Sequence, residues 1–219
     1  MSMHFGIFIY DGTEPIDLAT FGVLSMARRI RPDIRISTVA PTSDIVRLSN
    51  GLRVVADYDV SSAPHFDVLV ITGGPGWNDQ SKCRETLDFI RSRASNALLV
   101  SVCTGSMILA ASGVLDGKAA TTKREVVATE TPPIRAMRAA YPQIDVRDAS
   151  VVDAGRIITG GGVSLCIDTM LHVLQRLFGP GMAAKTARSI EYHRAWSTNR
   201  ERFSPVTISE VKKYQIHSR

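Results

Sequence analysis

The sequence has few cysteines and no long apolar run. Its three cysteines, Cys83, Cys103 and Cys166, are widely spaced and form no CxxC pair, which argues against a disulfide framework and against a zinc site. No apolar run approaches the roughly 20 residues that a membrane helix needs. The first residues have neither the basic nor the apolar region of a signal peptide. We therefore expect a soluble cytoplasmic protein with reduced thiols and no membrane partner.

A net positive charge is also lacking over most of the chain. The net charge is +5, and residues 185–219 hold eight Lys or Arg against three Glu, which accounts for the whole excess. A basic face interleaved with aromatic residues, typical of nucleic-acid-binding proteins, is missing. The five histidines form no metal-ligand spacing. The composition thus predicts no nucleic-acid partner, no metal and no cofactor.

Short apolar runs alternate with helical patterns along the chain. Such alternation predicts an α/β fold with a doubly wound, mostly parallel sheet sandwiched by helices. We expect one domain over residues 1–195 and a tail, 196–219, that wraps a dimer partner or is partly mobile. The predicted strands are 5–10, 34–39, 68–71 and 97–100, with hairpins at 45–58 and 151–159. The first predicted helix begins near residue 15, with Thr13 as its cap. Further helices are predicted over about 82–95, 107–111, 164–178 and 182–193.

Cys103 lies at a predicted sharp turn from strand to helix. Gly105 stands where a nucleophile elbow has its second glycine, whereas Ser101 replaces the first. The unpaired amides at a helix start favour negative charge, so we expect them to lower the pKa of Cys103. The alternative is a buried structural thiol, the role that we assign to Cys83 and Cys166.

Three further segments follow predicted strand ends, so they are expected at the same rim of the sheet. Asp17 is either an acid facing Cys103 or a first-turn acid that gains a few tenths of a kcal/mol from the helix dipole. The glycines of the 73–77 loop either form a tight turn or direct a backbone amide into the site. Its Trp77 lines the pocket or makes a dimer contact. The glycine triplet 160–162 is attributed first to close packing and second to pocket lining.

An ordered set of short motifs resembles the ThiJ/PfpI superfamily, which has a class I glutamine amidotransferase-like fold. The chain is most similar to the isocyanide hydratase branch, and the same motifs occur in the sensor domain of some AraC-type regulators. The motifs are 5–10, Ile16-Asp17-Leu18, Thr72-Gly73-Gly74-Pro75-Gly76, Val102-Cys103-Thr104-Gly105, Ala120-Thr121-Thr122 and Ile158-Thr159-Gly160-Gly161-Gly162.

The resemblance implies a flavodoxin-like homodimer in which Cys103 is the nucleophile and Asp17 hydrogen-bonds it. It further implies that the amides of Gly74 and Thr104 stabilise developing negative charge, with the loop 160–162 packed close by. Thr104 stands where the family's peptidases have histidine, which argues against a peptidase. The predicted lining of the substrate pocket comprises Gly73, Gly76, Trp77, Thr122, Lys123, Gly160 and Gly161.

Lys123 is a second departure, because the branch commonly shows histidine and then tryptophan after the two threonines. The pocket wall, and with it the substrate, is expected to differ. The leading hypothesis is cofactor-free addition of water to a small carbon electrophile, an isocyanide, through a thioimidate on Cys103. Two alternatives stay open: a small-molecule or redox sensor without turnover, and a glyoxalase or deglycase that uses the same thiolate.

Overall fold

Buried apolar strands form the centre of the structure, a computed structural model that describes residues 2–208. The strands are β1 (Met3–Phe8), β2 (Ile34–Ala40), β3 (Ile45–Arg47), β4 (Arg53–Val55), β5 (Tyr58–Asp59), β6 (Val68–Ile71), β7 (Leu98–Ser101), β8 (Ala119–Ala120), β9 (Asp145–Val146), β10 (Val151–Asp153), β11 (Ile157–Gly160) and β12 (Val206–Thr207). The helices are α1 (Ala19–Arg28), α2 (Trp77–Gln80), α3 (Arg84–Arg93), α4 (Gly105–Ala111), α5 (Pro133–Ala140), α6 (Leu165–Phe178), α7 (Pro180–Ser189) and α8 (His193–Arg202).

The main sheet has eight strands in the order β12-β10-β11-β7-β6-β1-β2-β5. Neighbouring strands are parallel except β10 and β11, which form an antiparallel hairpin. The central strand β6 is apolar and buried at all four positions, as expected for a parallel strand with both faces covered. The predicted α/β fold with a mostly parallel, doubly wound sheet is confirmed.

Helices cover both faces of the sheet, each over its own apolar core. On one face α1 and α6 contribute Leu24 and Leu171, which are fully buried. On the other face α3, α4 and α5 contribute Phe89, Ile108 and Met137. Burying one such side chain stabilises a fold by about 1.5–3 kcal/mol, so these two layers fix the sheet on which the loops of the site are mounted.

The two predicted hairpins are present. β3 and β4 pair antiparallel, and the turn between them has Asn50 and Gly51 at φ 64° and 90°, the left-handed region that Asn-Gly turns require. Tyr58, predicted as the end of this hairpin, belongs instead to β5 and pairs with β2. The β10–β11 hairpin turns at Gly155, which has φ 87°.

The predicted helix cap at Thr13 is wrong. Its hydroxyl accepts a hydrogen bond from the Tyr10 amide at 2.9 Å, so it holds the preceding turn closed. Glu14 is the cap instead, and its carboxylate accepts from the Ile16 amide at 3.5 Å. The segment that it caps is a 3₁₀ turn, Pro15–Leu18, which leads into α1.

Regular structure continues past Ala195, where the sequence pattern loses its periodicity. α8 spans this boundary, and β12 adds to the sheet beside β10. Asn199 of α8 donates to the Asp168 carboxylate at 3.1 Å, and the Tyr192 hydroxyl donates to the same group at 2.8 Å. The remainder of the predicted tail, 209–219, lies outside the described residues.

Candidate active site

Cys103 lies on the turn between β7 and α4, as the sequence predicts. Its φ of 52° is in the left-handed region, which costs a residue other than glycine about 1–3 kcal/mol. Hydrogen bonds on both sides offset that cost. The Cys103 amide donates to the Gly161 carbonyl at 3.1 Å, and the Cys103 carbonyl accepts from the hydroxyls of Thr122 at 2.9 Å and Ser106 at 3.1 Å. The cysteine is therefore held in a strained conformation by its surroundings.

Asp17 lies in the 3₁₀ turn that follows the end of β1, and its side chain is fully buried. Oδ2 accepts a hydrogen bond from the Gly73 amide at 2.7 Å. Oδ1 is buried and has no hydrogen-bond partner among residues 2–208. Burial raises the pKa of Asp17 to about 7, although the hydrogen bond from Gly73 opposes the shift. Asp17 can therefore both take up and give a proton near neutral pH.

The expected lowering of the pKa of Cys103 is wrong. The side chain is 2% exposed, and burial together with the nearby Asp17 charge raises the pKa of Cys103 to about 12. A hydrogen bond from the Thr104 amide acts in the opposite direction, as expected at a helix start, but it is outweighed. Asp17 and Cys103 are thus electrostatically coupled, whereas the direct hydrogen bond implied by the resemblance is absent, because Oδ1 has no partner in the described chain.

Thr104 and Gly74 are joined to each other beside the sulfur. The Gly74 amide donates to Thr104 Oγ1 at 2.9 Å, so this donor of the predicted pair already has a partner. The Thr104 hydroxyl and amide both favour the thiolate of Cys103 by hydrogen bonding. Gly74 has φ 138°, and a Cβ there would overlap the Gly12 carbonyl oxygen, so only glycine fits.

The other residues of the 73–77 loop divide between the site and the packing behind it. A Cβ at Gly73 would lie 2.7 Å from Cys103 Cβ, so this position borders the cysteine. A Cβ at Gly76 would overlap the Asp11 carbonyl oxygen, which assigns Gly76 to close packing on the loop after β1. Trp77 is half-buried and packs against the core of the α3–α4 face. Of these three residues, the structure places Gly73 against the cysteine, and the pocket-lining role of Trp77 stays a prediction.

The three glycines 160–162 also divide between close packing and contact with Cys103. Gly160 ends β11, and a Cβ there would overlap Thr169 Oγ1, so it permits close packing against α6. Gly161 offers its carbonyl to the Cys103 amide. A Cβ at Gly162 would lie 2.7 Å from Cys103 Sγ. The member nearest the sulfur is thus Gly162, which the predicted pocket lining omits.

Thr122 and Lys123 reach the site from the segment after β8. Thr122 binds the Cys103 carbonyl, and the half-buried Lys123 donates from Nζ to the Glu125 carbonyl. The positive charge of Lys123 lowers the pKa of both Asp17 and Cys103. Both residues therefore act on Cys103, and their role as pocket lining stays a prediction.

Comparison with known proteins matches residues 5–176 to the model of the DJ-1/PfpI family. The chain belongs to the DJ-1/PfpI family. It is 34% identical over 194 residues to an isonitrile hydratase of Pseudomonas putida, with 88% of this chain and 79% of that one covered. It is 30% identical over 194 residues to the HTH-type transcriptional regulator GbdR of Pseudomonas aeruginosa, with 86% of this chain covered but only 50% of the regulator. The crystal structure of a ThiJ/PfpI family protein from Pseudomonas syringae superposes with a TM-score of 0.76 at 25% identity and covers 93% of this chain and 88% of that one.

Sequence reasoning missed two groups around the site of this DJ-1/PfpI protein. Tyr10 is fully buried, donates to the Thr72 carbonyl at 3.0 Å, and has its pKa raised by burial and by the charges of Asp17 and Cys103. Cys166 is buried, as predicted, but it lies close enough to Asp17 and Cys103 for their charges to raise its pKa further. The signal for Tyr10 was its place at the end of the first predicted strand, on the rim that carries Asp17.

Among residues 2–208 no three or more His, Cys, Asp or Glu side chains cluster as a metal site would require. Over the same residues, every helix falls short of the length and apolar character needed to cross a bilayer. His172, predicted as a core residue rather than a ligand, is largely buried, and its Nε2 lies 3.1 Å from Asp153 Oδ2. Arg176 contacts the other oxygen of that carboxylate at 2.5 Å.

Proposed function

We propose that this DJ-1/PfpI protein is a cofactor-free cysteine enzyme that converts an isocyanide and water into an N-substituted formamide. The observation that carries the proposal is a buried thiol on a strained turn, Cys103, coupled to a buried carboxyl, Asp17, whose Oδ1 has no partner among residues 2–208. The similarity to the isonitrile hydratase of Pseudomonas putida supports an isocyanide as the substrate.

The resting protonation states define what Asp17 has to do. With a pKa of about 12, Cys103 is a neutral thiol at neutral pH, whereas Asp17, at about 7, is ionised in roughly half of the molecules. Moving the proton from sulfur to carboxylate before any bond forms is uphill, because the pKa of Cys103 lies well above that of Asp17. The transfer is therefore coupled to attack, with the carboxylate of Asp17 as general base.

The first half of the reaction forms a thioimidate. Sγ of Cys103 bonds to the terminal carbon of the isocyanide, R–NC, while Asp17 takes the thiol proton and delivers it to the same carbon. The product is R–N=CH–S–Cys103, with the carboxylate regenerated. A covalent nucleophile divides one difficult hydration into two easier additions.

The second half releases the formamide. Water adds to the carbon of the thioimidate, and the nitrogen gains a proton, which gives R–NH–CH(OH)–S–Cys103. The C–S bond then breaks, the hydroxyl proton passes through Asp17 to the sulfur, and R–NH–CHO leaves. The Thr104 amide and hydroxyl stabilise the negative charge that returns to the sulfur at this step.

The decisive experiment is turnover of simple alkyl and aryl isocyanides by the purified protein, with the formamide followed by chromatography. We expect formation of the formamide by the wild type and none by Cys103→Ser. Intact mass after rapid mixing is expected to show an adduct with the mass of one isocyanide on the wild type. Failure of every isocyanide to give a formamide would remove the hydratase function.

A second candidate function is sensing without turnover, favoured by the similarity to the regulator GbdR. The chain spans about half the length of that relative, so this candidate applies to a ligand-binding domain. Intact mass after mild peroxide treatment separates the two functions: a sensor gains oxygen on Cys103 and turns over neither isocyanides nor α-oxoaldehydes. Turnover of an α-oxoaldehyde alone would indicate the glyoxalase alternative.

The predicted homodimer is also part of this proposal. Ile45, Leu52 and Val55 on the β3–β4 hairpin are 51%, 52% and 71% exposed, an apolar surface that a second copy of the chain would cover. We expect the mass of a dimer by light scattering, and a shift toward monomer in Val55→Lys. Cytoplasmic location stays a prediction.

A further inference from the structure

Lys123 is held beside the nucleophile by hydrogen bonds of its own segment. The side chain of the preceding residue, Thr122, donates to the Cys103 carbonyl at 2.9 Å. The Lys123 carbonyl accepts from the Ile134 amide at 3.1 Å, at the start of α5. The backbone of Lys123 is thus tied both to the turn that carries the sulfur and to a helix of the core. The fold therefore fixes the backbone position of Lys123.

The charge of Lys123 is not neutralised by the described part of the protein. Its ammonium donates to the Glu125 carbonyl, and no carboxylate of residues 2–208 forms an ion pair with it. The next residue is the opposite case. Arg124 pairs with Asp148 at 2.9 Å and lies over the Phe203 ring at 3.7 Å. Arg124 is thus paired with a carboxylate of the protein, whereas Lys123 has no carboxylate partner among residues 2–208.

This charge acts on the reacting sulfur. Lys123 lowers the pKa of both Asp17 and Cys103, so its field extends over the whole reacting pair. Two carboxylates oppose it: Asp17 raises the pKa of Cys103, and Glu14 raises the pKa of Asp17. The Glu14 carboxylate is also engaged by the Ile16 amide. Among the described residues, Lys123 is therefore the positive charge that favours negative charge on both members of the reacting pair.

We propose that Lys123 binds an anionic group of the substrate, so that the preferred substrates of this site are small electrophiles that carry a carboxylate. The substrate class rests on the proposed function, since it implies isocyanides with a carboxylate near the reacting carbon. An uncompensated, half-buried ammonium attracts an anion more strongly than a solvated surface lysine does, because the surrounding protein screens it less.

The first test needs no turnover. Iodoacetate and iodoacetamide are nearly isosteric, and with either one the C–S bond to Cys103 forms as iodide leaves, but only iodoacetate is anionic. The ratio of their rates on Cys103, followed by peptide mass in a Cys83→Ser background, cancels any change in the thiolate population. We expect Lys123→Met to lower the iodoacetate-to-iodoacetamide ratio by about fivefold or more, and Lys123→Arg to retain it.

Lys118→Met is the matched control. Lys118 donates from Nζ to the Asp116 carbonyl two residues away, as Lys123 does to Glu125, but it is exposed on the protein surface. Its loss is expected to leave the ratio unchanged. An unchanged ratio in Lys123→Met, or an equal fall in Lys118→Met, would overturn the proposal.

The second test compares isocyanoacetate with its methyl ester as substrates. We expect a KM for the anion at least fivefold below that of the ester in the wild type, and equal values in Lys123→Met. If the ester is hydrated without any preference for the anion, the hydratase function stands and the role of Lys123 is wrong. If neither these two compounds nor any other isocyanide is hydrated, the hydratase function is wrong, and the alkylation ratio alone decides whether Lys123 binds anions.

Discussion

Replacement of Asp17 by asparagine separates two effects that a carboxylate exerts on a neighbouring thiol. The Asp17 charge raises the pKa of Cys103, so its removal is expected to lower that pKa from about 12 by roughly one to two units, the scale of one buried like charge at close range. The thiolate becomes more abundant, yet the group that moves the proton is lost. General acid–base catalysis contributes about 10²–10⁴-fold. We therefore expect a more acidic thiol in an enzyme that is slower by that factor.

The side-chain carbonyl of the introduced asparagine can still accept the hydrogen bond from the Gly73 amide, so a collapse of the site is not expected. The pKa is measured from the ultraviolet absorbance of the thiolate as a difference from Cys103→Ser, and turnover from formamide release. Ser106→Ala serves as the control, because it also removes one polar group beside Cys103 but no charge. A higher pKa of Cys103 in Asp17→Asn, or turnover within threefold of the wild type, would refute the assignment of Asp17 as the proton carrier.

Three further predictions concern stability and packing. Because the pKa of Asp17 rises from 3.8 to about 7 on folding, the folded state binds a proton between these pH values that the unfolded state does not. The free energy of unfolding therefore falls by up to about 4 kcal/mol as the pH rises from about 4 to 7, and thermal melts of Asp17→Asn should lack this loss. Gly162→Ala should lower turnover at least tenfold by pushing the nucleophilic sulfur aside, whereas Gly181→Ala, with no atom within 4 Å of the new Cβ, should not. Arg176→Met should lower the free energy of unfolding in urea by about 3 kcal/mol, because it removes the guanidinium that pairs with the buried Asp153 carboxylate; an effect below about 1 kcal/mol would show that the pair contributes little.

The sheet could be predicted because its strands are encoded locally. The run Val68–Ile71 is apolar throughout and forms a strand with those bounds, and Asn50-Gly51 forms the turn that its left-handed propensity demands. The turn at Cys103 was predictable for the same reason, since an apolar run, a cysteine and a glycine follow one another directly. Local patterns of this kind do not depend on the rest of the chain.

The features that the sequence did not predict correctly depend on contacts between distant segments of the chain. α8 buries none of its residues fully, so it has little apolar periodicity to recognise. Polar bonds such as Asn199 to Asp168 hold it, together with the half-buried Trp196, which packs against the core. The pKa of Cys103 was misjudged because segments distant in the chain exclude water from its side chain. One of them, Gly162, contacts the sulfur only because β11 ends beside β7.

The neutral resting state of Cys103 has a consequence for selectivity inside a cell. A thiol that is ionised at rest is consumed by every soft electrophile and oxidant that it meets, whatever their shape. In the proposed mechanism, the thiolate of Cys103 forms only while the carboxylate of Asp17 removes its proton, and that happens only when a bound molecule presents a carbon to the sulfur. Burial thus makes the cysteine slow toward chance encounters and leaves its chemistry conditional on correct binding.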